Sequence, residues 1–199
     1  MIFVAHRINN LETLKKIPIG IGVEFDVRDY KKNLVLSHDP FSNGLSLEKF
    51  LEKVGDKFLI INIKSEGIES RIFKILKKKK ITKYFFLDST IPQISKYINS
   101  NKTMQFALRF SNYENIYFNL ERNNKWLWVD TFDGLNLNFK KINFFSKKQF
   151  KICLVSPMLH KKKISKKEIN SFFMKCKMYK IKIHAVCDKF YNYKYWTNV

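Results

Sequence analysis

Short apolar runs alternate along the chain with longer polar, amphipathic stretches. The runs are IFVAH (2–6), GVEFDV (22–27), LVLSH (34–38), FLIINIK (58–64), YFFLD (84–88), QFALRF (105–110), WLWVDTF (126–132), KICLVS (151–156) and HAVCDK (184–189). Each is rich in β-branched or aromatic residues, the pattern of a buried strand. The stretches between them follow the helical period. In GIESRIFKILKKKK (67–80), Ile68, Ile72, Ile75 and Leu76 share one helical face, and in SKKEINSFFMKCKM (165–178) Ile169, Phe172, Phe173 and Cys176 do the same. Ser165 followed by Glu168 has capping-box spacing, and the lysine run 77–80 falls where a helix C-terminus favours cations.

Strand and helix alternating about eight times predict parallel pairing with helices outside, an α/β chain that closes as a compact (β/α)8 TIM barrel. At 199 residues the chain is expected to be one domain, residues 1–199, with several brief helices. The run 34–38 fits as a hairpin extension of the second strand unit. A doubly wound open sheet is the competing arrangement. It usually carries a glycine-rich loop after strand one, whereas strand one here ends in His6-Arg7-Ile8-Asn9-Asn10.

The polar exceptions inside the runs carry the chemistry. Residues two apart share a strand face, so Glu24 and Asp26 point one way while Val23, Phe25 and Val27 point the other. Two carboxylates on the inner face of a barrel strand repel each other, and desolvation makes that worse. A divalent cation, Mg²⁺ or Ca²⁺, is the simplest compensation, since these ions take oxygen ligands and no cysteine cluster argues for zinc. By the same parity His6 reaches the end of strand one, Asn62 and Lys64 share a face on the third core strand, and His38 ends its run. Barrels place their active sites at these C-terminal strand ends. Lys64 also reads as a salt-bridge partner for the acids. Later strand ends add Asp88, Arg109, Asp130, Ser156 and Lys189 as mouth candidates. Arg109 with Asp130 reads equally as a buried ion pair, Trp126 and Trp128 as packing, and His160 and His184 as structural.

The ordered set AHR (5–7), VEFDVR (23–28), LSHDP (36–40) and INIK (61–64) resembles the glycerophosphodiester phosphodiesterases, within the superfamily of phosphatidylinositol-specific phospholipase C. The resemblance is carried by residues 1–64 and is architectural beyond them. It implies His6 and His38 as an acid/base pair, Glu24 and Asp26 as metal ligands, and Arg7 and Lys64 as phosphate contacts. Asn62 stands where the family has a third acidic ligand. An amide oxygen can ligate Mg²⁺ or Ca²⁺, but without charge. The family's Glu-Asn-Thr after His-Arg-Gly is absent; Ile8 replaces the glycine, and Asn9 or Asn10 is the available substitute.

Charge changes the picture less than its size suggests. The net charge of +21 favours acidic partners, but the excess is lysine. Arginine, the preferred residue for bidentate phosphate and base contacts, occurs only at positions 7, 28, 71, 109 and 122. That argues against nucleic acid and leaves peripheral membrane contact open. No apolar run approaches the roughly 18 residues of a membrane helix. The N-terminus lacks the pattern of a signal peptide, and three cysteines without metal spacing suit reduced thiols, so a cytoplasmic protein is expected. The expected activity is metal-dependent hydrolysis of a small glycerophosphodiester-like or sugar-phosphate diester. The alternatives are a catalytically weak or inactive phosphodiester-binding barrel and a basic membrane or nucleic-acid binder.

Overall fold

The computed structural model describes residues 1–100, 103–114 and 126–197. In chain order its elements are β1 (Ile2–Ala5), α1 (Leu11–Lys15), β2 (Gly22–Tyr30), β3 (Asn33–Leu36), β4 (Leu45–Ser46), α2 (Leu47–Leu51), β5 (Leu59–Ile63), α3 (Glu69–Lys78), β6 (Tyr84–Leu87), α4 (Ile91–Ser100), β7 (Ala107–Phe110), β8 (Trp126–Val129), α5 (Phe139–Lys147), β9 (Lys151–Val155), α6 (Lys166–Met178), β10 (Ile183–Asp188) and α7 (Tyr193–Trp196). This is a mixed α/β fold. The chain forms two compact units, one of Ala5–Phe106 and one of Met1–Val4 with Ala107–Val199.

In the Ala5–Phe106 unit, β5 pairs in parallel with both β2 and β6. β3 turns back antiparallel on β2, as the hairpin extension predicted, and β4 is antiparallel to β3. The β2–β5 register sets Asp26 opposite Asn62 and Glu24 opposite Ile60. Strand β2 is buried on both faces: Val23, Phe25 and Val27 are shut from solvent, and so are Glu24 and Asp26. Phe25 packs on Phe50 of α2, ring centroids 4.8 Å apart. Helix α3 buries Ile72, Phe73 and Leu76, with Ile68 just before it, while Ile75 is half-buried. Lys77 and Lys78 lie in its last turn, where the partial negative charge of the helix end favours them. Helices α1 and α2 have five residues each, as brief as the chain length demanded.

In the other unit β7, β8, β9 and β10 form a parallel ladder and β1 lies next to β10. Helix α6 begins with the expected capping box, the Ser165 hydroxyl accepting from the Glu168 N–H and the Glu168 carboxylate accepting from the Ser165 N–H. It buries Ile169, Phe172 and Cys176 and leaves Phe173 half-buried. The β10–β9 register shifts between Ile183 and Ala185, so His184 sits in a bulge. The Ile152 N–H there donates instead to His184 Nδ1 at 3.1 Å, which keeps a buried donor paired. All three cysteines are buried thiols.

Candidate active site

The polar groups of the Ala5–Phe106 unit converge on Glu24 and Asp26. Strand parity puts both carboxylates on one face, and the β2–β5 register brings Asn62 and Lys64 beside them. The Asn62 amide donates to Glu24 Oε1 at 3.0 Å. The Arg7 N–H donates to Glu24 Oε2 at 2.6 Å, and His6 Nε2 lies 3.7 Å from the same oxygen. Asp26 Oδ2 accepts from Asn9 Nδ2 at 2.8 Å and lies 3.7 Å from Arg7 Nε; Asp26 Oδ1 lies 3.7 Å from Lys64 Nζ. Lys64 also donates to Asp88 at 3.2 Å.

Burial is the first influence on Glu24, and the Asp26 charge the second. Together they push its carboxyl up to about 7, against the lowering pull of Asn62, the Arg7 N–H and Lys64. Arg7 and Asp88 both adopt left-handed backbone, φ 57° and 61°. Such conformations cost a non-glycine residue free energy and cluster at functional sites. At Arg7 the turn aims the N–H at Glu24 and the guanidinium towards Asp26.

His38 lies two residues past the end of β3, which stops at Leu36, rather than on the strand. Its Nδ1 lies 2.8 Å from Asp39 Oδ1, and its carbonyl accepts from Arg28 Nη2 at 3.1 Å. The hydrogen bond from His38, followed by the charges of His38, Arg7 and Arg28, holds the Asp39 carboxyl below its ordinary range. Asn9 and Asn10 have different partners. Asn9 bonds to Asp26 twice, through its amide and through its Oδ1, which accepts the Asp26 N–H at 2.9 Å. Asn10 caps α1 by accepting the Thr13 N–H at 2.8 Å.

Glu24, Asp26 and Asn62 are the residues that could hold a divalent cation. Asn62 Oδ1 is buried and accepts no hydrogen bond, an orphaned oxygen beside two carboxylates, so the donor set fits a hard ion. Among the described residues no group of three or more His, Cys, Asp or Glu side chains gathers for a metal. A cation would therefore rely on the uncharged amide as its third protein ligand.

The remaining strand-end candidates lie in the other unit. Arg109 Nη2 pairs with Asp130 Oδ2 at 2.6 Å, the ion-pair reading of those two residues. Trp128, expected as packing, is buried and also donates its Nε1–H to Asp130 at 3.1 Å. His160 adds to this cluster, Nε2 3.4 Å from Asp130 Oδ1, and burial followed by the Arg109 charge lowers its pKa. Sequence had set it aside, since a lone histidine after a strand end gives no sign of a partner thirty residues back. Ser156 is fully buried and caps the 3₁₀ turn Pro157–His160, accepting the Met158 N–H at 3.2 Å. The Lys189 N–H donates to Asp188, a buried acid that sequence did not single out; it also accepts from Asn192 and from Trp196 Nε1.

No family model matches the chain, and no curated protein matches it either. Solved structures do. A proposed glycerophosphodiester phosphodiesterase from Galdieria sulphuraria superposes with a TM-score of 0.67 at 13% identity, covering 94% of this chain and 93% of that one. A glycerophosphodiester phosphodiesterase from Parabacteroides distasonis gives 0.61 at 16% identity, covering 93% and 91%. A proposed glycerophosphoryl diester phosphodiesterase from Silicibacter pomeroyi gives 0.63 at 11% identity, covering 95% and 90%. At these identities the likeness establishes a shared fold, over far more of the chain than residues 1–64. No helix among the described residues is long and apolar enough to cross a membrane.

Proposed function

We propose that this chain is a phosphoric diester hydrolase acting on a glycerophosphodiester-like or sugar-phosphate diester. The observation that carries the reading is the convergence of His6, Arg7, Asn62 and Lys64 on the Glu24–Asp26 pair, on a fold shared with glycerophosphodiester phosphodiesterases. The reading takes the parallel strands as a (β/α)8 barrel, supported by the strand–helix alternation and by those shared folds.

His6 and His38 are the acid/base pair. One deprotonates the attacking hydroxyl and the other protonates the leaving alkoxide, work that an imidazole can do in either direction. Asp39 orients His38. Glu24, in reach of His6 Nε2, fixes that imidazole. Arg7 and Lys64 bind the phosphoryl oxygens and offset the charge that develops on them. Glu24, Asp26 and Asn62 would hold Mg²⁺ or Ca²⁺, which when bound supplies Lewis-acid stabilisation of the phosphate. The buried thiols support a reducing, cytoplasmic setting.

The test is a panel of soluble diesters assayed with EDTA, Mg²⁺, Ca²⁺ and Mn²⁺, with the His6→Ala/His38→Ala protein as control. Metal-dependent release that vanishes in the control is expected. Release that persists in the control would overturn the mechanism. Tight diester binding without turnover would favour the binding-module reading that Asn62 motivates.

A further inference from the structure

Between the β3–β4 arm and α3, within the Ala5–Phe106 unit, lies an open groove of about 570 Å³. Leu34, Val35 and Ile75 line it with carbon, and Lys32, Arg71 and Lys74 face it against one acid, Glu48. The volume falls in the roughly 300–1,000 Å³ range of small-molecule sites.

Two local features shape the groove. The β2–β3 turn is a two-residue connection, and Lys31 and Lys32 hold φ of 45° and 66° in it. Such turns favour Asn-Gly because both central residues need positive φ. Lysines strain the backbone here, and their side chains are exposed, so packing does not compensate. Arg71 Nη2 donates to the Lys32 carbonyl and holds the strained turn at the groove. On the β3–β4 arm, a Cβ on Gly44 would stand 2.1 Å from the Leu36 carbonyl oxygen. Only glycine lets the chain lie that close, so the lining there is bare backbone beside Asn43.

We propose that this groove is a second ligand site, separate from the acid pair, and that it binds a phosphate group. Three cations against one carboxylate give it net positive charge. Arg71 presents a planar fork of five donors, one of them on Lys32, which suits phosphate oxygens; Lys32 and Lys74 add point charges. The apolar lining suits the carbon portion of a phosphate ester. A free phosphomonoester and an anionic lipid headgroup share this chemistry.

The experiment titrates the full-length protein with glycerol phosphate, and separately with vesicles of phosphatidylglycerol or of phosphatidylcholine, while the Gly44 amide is followed by NMR. Diester hydrolysis is measured in parallel. Saturable shifts at Gly44 with soluble phosphate identify a free ester as ligand. Shifts with phosphatidylglycerol vesicles alone identify a headgroup. Arg71→Gln/Lys74→Gln is expected to weaken binding at least tenfold and leave hydrolysis unchanged. Lys31→Asn/Lys32→Gly, which relaxes the turn, is expected to raise the melting temperature while weakening binding. Lys166→Gln/Lys167→Gln, on α6, removes the same charge elsewhere and is expected to leave binding and hydrolysis unchanged. No shift at Gly44 with any probe, or equal weakening by the α6 variant, overturns the proposal.

Discussion

Asn62 donates its side-chain amide to Glu24 at 3.0 Å, and both side chains are shut away from solvent. The contact couples an uncharged amide to an acid whose carboxyl is pushed up by burial. It also leaves Asn62 Oδ1 as the oxygen without a hydrogen bond.

Asn62→Asp should therefore act in opposite directions with and without metal. Without metal, a third buried acid is added beside Glu24 and Asp26, and stability should fall by about 1–3 kcal/mol. With Mg²⁺ or Ca²⁺, added ligand charge should tighten binding on the order of tenfold, about 1.4 kcal/mol. Thermal melts with EDTA and with each ion, beside calorimetric titration, read both effects. A variant that binds either ion no better than the parent would count against the cation site.

Asp88→Asn tests Lys64. Asparagine tolerates the left-handed backbone that residue 88 adopts, so the fold should survive and only the carboxylate that accepts from Lys64 is lost. Lys64 then keeps Asp26, 3.7 Å away, and the charge of Glu24 as its acidic neighbours. The expected result is a several-fold rise in KM for a diester with little change in melting temperature. A large melting-temperature drop would instead mark Asp88 as structural.

His184 makes stability depend on pH in a predictable direction. Burial, then the charges of Lys182 and Lys151, lower its pKa below the ordinary 6.5, and the Ile152 N–H needs Nδ1 unprotonated to accept. The folded state binds the proton less well than the unfolded chain. The contribution of this group is therefore complete above about pH 6.5 and is lost as pH falls through the lowered folded value. His184→Ala should cost about 1 kcal/mol at alkaline pH by stranding the Ile152 N–H, and the gap to the parent should narrow in acid. Urea melts across pH 5 to 8 check the slope, whose range brackets the usual histidine titration of about 6.5.

The cysteines should be chemically silent in the folded protein. Burial pushes the Cys176 thiol up to about 12, so the thiolate that reacts is scarce, and Cys153 and Cys187 are buried in β9 and β10. Iodoacetamide should leave native protein unmodified and label all three positions in denaturant, as read by mass spectrometry. Labelling of native Cys176 would show that α6 opens locally.

What sequence made legible was whatever period and spacing alone control. Strand parity put Glu24 with Asp26 and Asn62 with Lys64. The interval from Ser165 to Glu168 gave the capping box, and the helical face of α6 gave Ile169, Phe172 and Cys176. What it did not give depends on register and on chain reversal. Asn9 reaches Asp26 only because the segment after β1 folds over β2. His160 meets Asp130 because a strand end and a 3₁₀ turn are neighbours in space and thirty residues apart in the chain. His184 gains its role from a bulge, and a one-residue shift in pairing leaves no mark on hydrophobic period. Asp39 lies within the LSHDP motif, but its carboxylate gains meaning only from His38 turning onto it.

The segment Arg7–Asn9 gives β2 something close to an extra strand partner. The Arg7 N–H reaches the Glu24 carboxylate, the Ile8 N–H reaches the Glu24 carbonyl at 2.8 Å, and Asn9 and Asp26 exchange two bonds. The acid pair and its partners are thus woven into the ladder that holds the unit together. Amide protons of Ile8 and Asp26 should exchange as slowly as those of the central strands, since releasing them means breaking the ladder itself. In a denaturant series, ligand binding at the acid pair should disappear along the same curve as the exchange protection of the Ile8 and Asp26 amides, with no range in which this ladder is intact but its site already dissolved.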